Sequence, residues 1–407
     1  MLSEIIPSII IGLLAGTFTG LIPGIHTNLL TALLITSSLP LLTIFTPLAL
    51  AVLIISMAIT HTFTSAIPSI FLGAPDESMA LAALPGHQLL LQGKGHHAVY
   101  FTIIGSTAAI ITTAILTPIL IPFLKTAYPL IRNFIPFILI IASTTLILKE
   151  RSSKFWALAL FLLAGALGIA TFSLPINQPF LPLLTGLFGT PLLLLSITNK
   201  TKIPPQKTTR PKIKLKTLTR IIPRGGIASL LCAFLPGLGA SQAAILALPT
   251  KKQVTKSQFL ILIGSINTFV MFFCLLTLYS ISKARNGAII AISQILTTPS
   301  SHTLTALTTQ HLTTLIIALL VSSLLAAIAT AFISKKIALI IPKINYTAIS
   351  LITIFFLILI TLLISNWLGL LVLLTATSIG LLPTTKHIRK SHLMGCLIIP
   401  VILNSFL

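Results

Sequence analysis

Apolar residues fill this chain in blocks of roughly 17 to 25 positions, cut by charges, prolines and turn residues, and a helix of that length spans a bilayer. The first half gives runs at about 5–22, 29–45, 47–72, 98–121, 128–148, 155–173 and 180–198, with a mixed stretch at 74–97 holding PGHQLLLQGKGHH. A polar segment follows at 199–224, with nine Lys and Arg. Beyond it the layout recurs: runs at 222–235, 240–249, 257–282, 311–333, 344–365, 366–382 and 391–406, with a mixed stretch at 286–297. The pattern predicts an all-α polytopic membrane protein of about 10–14 membrane segments.

Local sequence supports a duplication. FLPGLGASQ (234–242) follows Gly225-Gly226 much as LIPGIHTNL follows Gly12, and THTF (60–63) recurs as INTF (266–269) at the same place in its half. Matched motifs in matched order mark a repeat. The chain thus divides into a first transmembrane repeat at 1–198, a basic linker at 199–221 and a second transmembrane repeat at 222–407.

Orientation follows from the cations. With the linker in the cytoplasm, the loops at 93–97, 149–154, 251–256, 335–343 and 386–390 share its side, and together these six segments hold 22 of the 26 Lys and Arg. Only Lys125, Arg132, Lys283 and Arg285 fall outside, as do both termini. This is the bias of the positive-inside rule. The first half then crosses an odd number of times, whether its first two runs span or form a re-entrant hairpin, so the second repeat is inverted.

Composition narrows the classes. The chain is 55% hydrophobic and 7% charged over 407 residues. Its net charge of +22 lies in short loops rather than on a patterned soluble surface, which disfavours nucleic acid. Cys232, Cys274 and Cys396 sit in apolar runs without paired spacing, so no disulfide framework or zinc site is implied. Glu4 stands where a secretory signal would be basic, and the start reads as a first membrane segment.

The Pro-Gly pairs at 23–24 and 236–237 interrupt apolar runs. Irregular backbone is tolerated at membrane depth where it lines a cavity or is buried in protein, and inverted-repeat transporters place their sites at such breaks. A restarted helix, capped by Thr27 or Asn28 in one copy and Ser241 in the other, offers N–H groups to an anion. A mere kink or a surface turn is the alternative. Candidate substrate contacts are Gly24, His26, Thr27, Asn28, Gly237, Gly239, Ser241, Asn267 and Thr268. Asn267 with Thr268 matches His61 with Thr62, and interhelical bonding explains such residues as well as substrate binding does.

The motifs GLLAGTFTGLIPG, PGHQLLLQGKGHHAVYFTIIGS (85–106) and GGIASLLCAFLPGLGA resemble, in order along the whole chain, the large membrane subunit of tripartite tricarboxylate transporters. PGIHTN stands where the family's turn is richer in glycine, and INTF where adjacent asparagines are usual, as in a short, divergent member. The resemblance implies a permease that works with a small membrane subunit and an extracytoplasmic binding protein, importing carboxylates on an ion gradient.

Candidates for ion coupling or gating are His61, Thr62, Asp76, Glu77 and Arg285. Asp76 and Glu77 are two of only four acids; they suit a coupling Na+ or H+, or equally a helix N-terminus. Lys283 and Arg285 could attract anions outside, or snorkel to headgroups. His87, His96 and His97 fit interfacial anchors, and no His-Glu spacing of a zinc hydrolase occurs. The sequence therefore predicts a non-enzymatic secondary transporter in the cytoplasmic membrane, moving a small di- or tricarboxylate-like anion by alternating access, with no cofactor or metal. An intramembrane enzyme using His and Asp, or a channel or scaffold, is the runner-up; it lacks a recognisable nucleophile, base and orienting group.

Overall fold

The computed structural model describes residues 2–23, 42, 44–75, 79–131, 134–150, 152–199, 201–233, 240–247, 254–284, 286–296 and 307–406. All regular structure among them is helical, and eight helices are long and apolar enough to cross a membrane. The protein is a multi-pass membrane protein.

The first half comprises α1 (Leu2–Leu21), α2 (Pro47–Thr64) running on into α3 (Ala66–Phe71), α4 (Ala83–Leu90), α5 (Gly95–Ile131), α6 (Ile135–Leu148) and α7 (Lys154–Ser173). It ends with α8 (Phe180–Leu184), a π-helical turn (Thr185–Gly189) and α9 (Thr190–Thr198). The second half comprises α10 (Leu215–Ala233), α11 (Ala240–Ala247), α12 (Lys256–Ile281), α13 (Gly287–Leu296), α14 (Thr309–Ile340), α15 (Tyr346–Thr385) and α16 (Gly395–Phe406). A 3-10 turn, Lys390–Met394, precedes α16.

Local chemistry sets several boundaries. Thr46 caps α2 by accepting from the Ala49 N–H, with Pro47 at the first helical position, where a missing donor costs nothing. Thr255 and Gln258 form a capping box at α12. The apolar runs expected to part at 365/366 do part there: Asn366 sits at φ 59 inside α15. Thr361 and Gly369 would be roughly 12 Å apart along a straight helix, yet a Cβ on Gly369 would stand 3.3 Å from Thr361 Cγ2. The chain therefore turns back on itself at Asn366. Elsewhere the expected punctuation fails. No turn separates 121 from 128; α5 runs on through Pro118, Pro122 and Pro129. Each proline lacks the N–H that would bond the carbonyl four residues earlier, a gap the bundle absorbs without ending the helix. Likewise α10 begins at Leu215, ahead of the apolar run.

Two helices form the centre. In an 18-residue apolar window of each span, 94% of residues are buried in α2–α3 and 89% in α12, against 22% in α5 and in α15. Ile115, Ile328 and Phe355 project outward from the peripheral helices, as side chains facing lipid do. Close helix approach is set by small residues, the main device for packing where hydrophobic collapse is absent. Gly12, Gly16 and Gly20 form a stripe on α1, and a Cβ on Gly12 would stand 2.6 Å from the Leu53 carbonyl oxygen. The Glu4 carboxylate accepts from the Thr46 hydroxyl at 2.7 Å, at the same end of the pair. So α1 and α2 run parallel. Gly105 and Gly264 seat α5 on α12, each facing the other helix's backbone, and Ser106 donates to the Gly264 carbonyl at 2.9 Å. Tyr128 near the end of α5 meets Lys283 just past the end of α12, so the two run parallel.

The pairing between halves is reciprocal. α2 of the first half packs on α13 and α14 of the second, while α12 packs on α4 and α5 of the first. Peripherally, α16 packs on α7, and the second-half helix α15 packs on α8, the π turn and α9.

Candidate functional site

The matched THTF and INTF motifs lie on the two most buried spans. His61 and Thr62 lie near the end of α2 and Asn267 and Thr268 midway along α12; His61, Asn267 and Thr268 are buried. The Asn267 side-chain amide donates to the Thr62 carbonyl at 3.4 Å. His61 Nδ1 lies 3.2 Å from the Thr19 hydroxyl on α1. The Thr62 hydroxyl returns to its own helix, donating to the Ile59 carbonyl at 2.7 Å. Thr64 donates to the Gly16 carbonyl, and in the second half Ser229 of α10 donates to the Ile266 carbonyl. The Thr60 and Thr268 hydroxyls, like those of Ser56 and Ser65 on the α2–α3 span, have no hydrogen-bond partner among the described residues, and Thr60 packs against Gly16 of α1.

Of the predicted residues the structure thus joins Thr62 and Asn267 directly, with His61 and Thr268 their neighbours in sequence. Gly24, His26, Thr27, Asn28, Asp76, Glu77, Gly237, Gly239 and Arg285 lie outside the described residues. Ser241 belongs to α11, whose backbone packs on α10 and α12. Lys283, on the side expected to face out, donates to the Tyr128 hydroxyl at 2.8 Å and lies 4.7 Å from that ring's centroid. No group of three or more His, Cys, Asp or Glu that could hold a metal occurs among the described residues.

The loops expected in the cytoplasm carry a second polar assembly. Gln206 clamps the linker to the mixed stretch, accepting from the Gly95 N–H at 2.8 Å and donating to the Leu90 carbonyl at 3.0 Å. Lys207 N–H donates to the Gly93 carbonyl, and His97 meets Thr209. His96 Nδ1 lies 2.8 Å from the Ser334 hydroxyl. These contacts fit the anchoring expected of His96 and His97. His87 differs: it is buried against Tyr346 with its Nε2 3.5 Å from the Ser196 hydroxyl. Burial pushes its pKa down to about 4, with a partial offset from the Ile70 backbone and a further push from the Lys390 charge.

Glu150, within the 149–154 segment, is buried. Its Oε2 meets His392 Nε2 at 2.9 Å and the Arg389 guanidinium at 4.0 Å, tying the start of α7 to the turn before α16. Beside that pair, Lys390 is 8% exposed and its Nζ has no hydrogen-bond partner among the described residues.

Residues 6–395 match the tripartite tricarboxylate transporter TctA family. The chain belongs to that family. An uncharacterized protein of Methanocaldococcus jannaschii is 33% identical over 405 residues, spanning 97% of each chain. No solved structure matches it.

As a TctA-family protein, the chain is a membrane subunit of a transporter class that works as part of a tripartite system. The family match covers α1 through the Lys390–Met394 turn, so both polar assemblies fall inside it. Sequence reasoning found the central assembly through its duplication and missed the one around Lys390. The available signal was the scarcity of acids: with four in the chain, each invites a search for its partner.

Proposed function

We propose that this chain is the permease of a carboxylate importer, moving a small di- or tricarboxylate-like anion by alternating access around a central site shared by its two halves. The observation that carries the reading is the contact between matched motifs: the Asn267 amide on the Thr62 carbonyl. An enzyme has no need of one motif twice, meeting itself at the centre. The reciprocal packing of α2 on α13 and α14 and of α12 on α4 and α5 supports two related halves, the architecture in which one half rocks or slides against the other. The two Pro-Gly turns and their restarted helices supply N–H donors to the anion, helped by Thr27, Asn28 and Ser241. Asp76 and Glu77 bind the coupling Na+ or H+. A small membrane subunit and an extracytoplasmic binding protein deliver the substrate, and the basic linker faces the cytoplasm.

The test is uptake of radiolabelled citrate and succinate by cells expressing the chain, with and without co-expressed subunits, under imposed sodium or proton gradients. Gradient-driven accumulation is expected. A chain that takes up neither carboxylate in any of these combinations is not the importer proposed.

A further inference from the structure

Lysine is almost never fully buried without a counter-charge, because removing an ammonium from water is costly unless an anion and hydrogen bonds replace the water. Lys390 breaks that rule. It is 8% exposed, in the 3-10 turn before α16, and its Nζ has no hydrogen-bond or ion-pair partner among the described residues. Glu150, the nearby acid, is already committed to His392 and Arg389. Burial alone holds the Lys390 pKa down to about 8, with no carboxylate offsetting it.

The surroundings are those of a site rather than a lipid face. The turn Lys390–Met394 packs on α7, α15, α16 and α11, the short helix that follows the second Pro-Gly pair. The charge of Lys390 reaches His87 on α4, whose ring lies against Tyr346 at the start of α15. His87 and Tyr346 are uncharged neighbours at neutral pH, and the Tyr346 hydroxyl is used on the Phe71 carbonyl. A positive charge therefore stands buried, with no counter-charge among the described residues, where elements of both halves meet.

We infer that Lys390 anchors a carboxylate group of the transported anion, at a subsite between the turn before α16, α4 and α11. The inference rests on the importer reading and adds the charged group that the Pro-Gly turns lack. Inorganic phosphate offers the same oxygen chemistry, and a carboxylate is favoured by the family's substrates.

The experiment is calorimetric titration of the purified full-length protein with citrate, succinate and inorganic phosphate, comparing the wild type with Lys390→Gln and Lys390→Arg. Wild type is expected to bind a carboxylate, Lys390→Gln to lose at least about tenfold in affinity, and Lys390→Arg to stay within about threefold. Unchanged carboxylate affinity in Lys390→Gln overturns the inference and leaves the importer reading standing. Lys390-dependent binding of phosphate alone keeps an anion site and overturns its assignment to a carboxylate. Binding of none of the three by the wild type overturns both. Should Lys390→Gln fail to give monodisperse protein, wild-type affinity is followed from about pH 7 to about pH 9, where His87 is already neutral and Lys390 loses its proton. A fall in affinity supports the inference, and a flat profile overturns it.

Discussion

The side-chain amide of Asn267 lies 3.4 Å from the carbonyl oxygen of Thr62, so that the INTF motif of α12 grips the THTF motif of α2 across the two most buried spans of the bundle. Interhelical bonds of this kind contribute about 0.6 kcal/mol on average and rarely above about 1.7 kcal/mol. Asn267→Leu is thus expected to fold, with a loss of stability of about 1 kcal/mol, while citrate or succinate uptake falls at least about tenfold. Full uptake in a well-folded Asn267→Leu protein would confine this residue to helix bonding.

The glycine stripe of α1 predicts a different failure. A Cβ on Gly16 meets the Met57 carbonyl and stands 2.7 Å from Thr60 Cβ, and neither atom can move without shifting α2. Gly16→Val should abolish the monodisperse peak in detergent gel filtration. Leu14→Val, at an outward position 64% exposed, is the matched control and should leave the peak unchanged. A normal Gly16→Val profile would show the two helices to be loosely apposed.

Burial of Lys390 also fixes the sign of a pH effect. Its pKa falls from the ordinary 10.5 to about 8 on folding. Between those values the unfolded chain binds the extra proton, so stability rises with pH across the window. The penalty, about 3 kcal/mol, is present below pH 8 and relieved above it. In anion-free buffer, Tm of the wild type should therefore climb relative to that of Lys390→Met, which starts higher and lacks this step. Parallel profiles for the two proteins would mean that the ammonium is solvated or paired in solution.

The orientation in the membrane yields to thiol labelling. The native cysteines Cys232, Cys274 and Cys396 are all buried, which keeps the background low. An impermeant reagent should label Gln310→Cys in intact cells and Thr208→Cys only after permeabilisation, because the basic linker belongs inside. The reverse pattern would invert the assigned orientation.

For ion coupling, Asp76→Asn and Glu77→Gln retain hydrogen-bonding oxygens and remove charge. Loss of the sodium or proton dependence of uptake, with the protein still folded, is the expected result. Uptake that still follows the gradient in both variants would return these acids to the role of helix termini.

The sequence by itself determined the class of protein and most of its segments. Hydrocarbon leaves backbone groups no partner except their own helix, so run length and punctuation reveal helices locally, as at Thr46, at Thr255 and at the Asn366 turn. Punctuation misled where the bundle could absorb it: prolines 118, 122 and 129 stay inside α5. Which helices touch was decided by tertiary packing, because small-residue contacts such as Gly105 with the α12 backbone join positions far apart in the chain. The same is true of chemistry. Periodicity flagged His61, Asn267 and Thr268 through their repetition, but Lys390 read as one more loop cation; only the helices closing around it bury its charge with no counter-charge among the described residues.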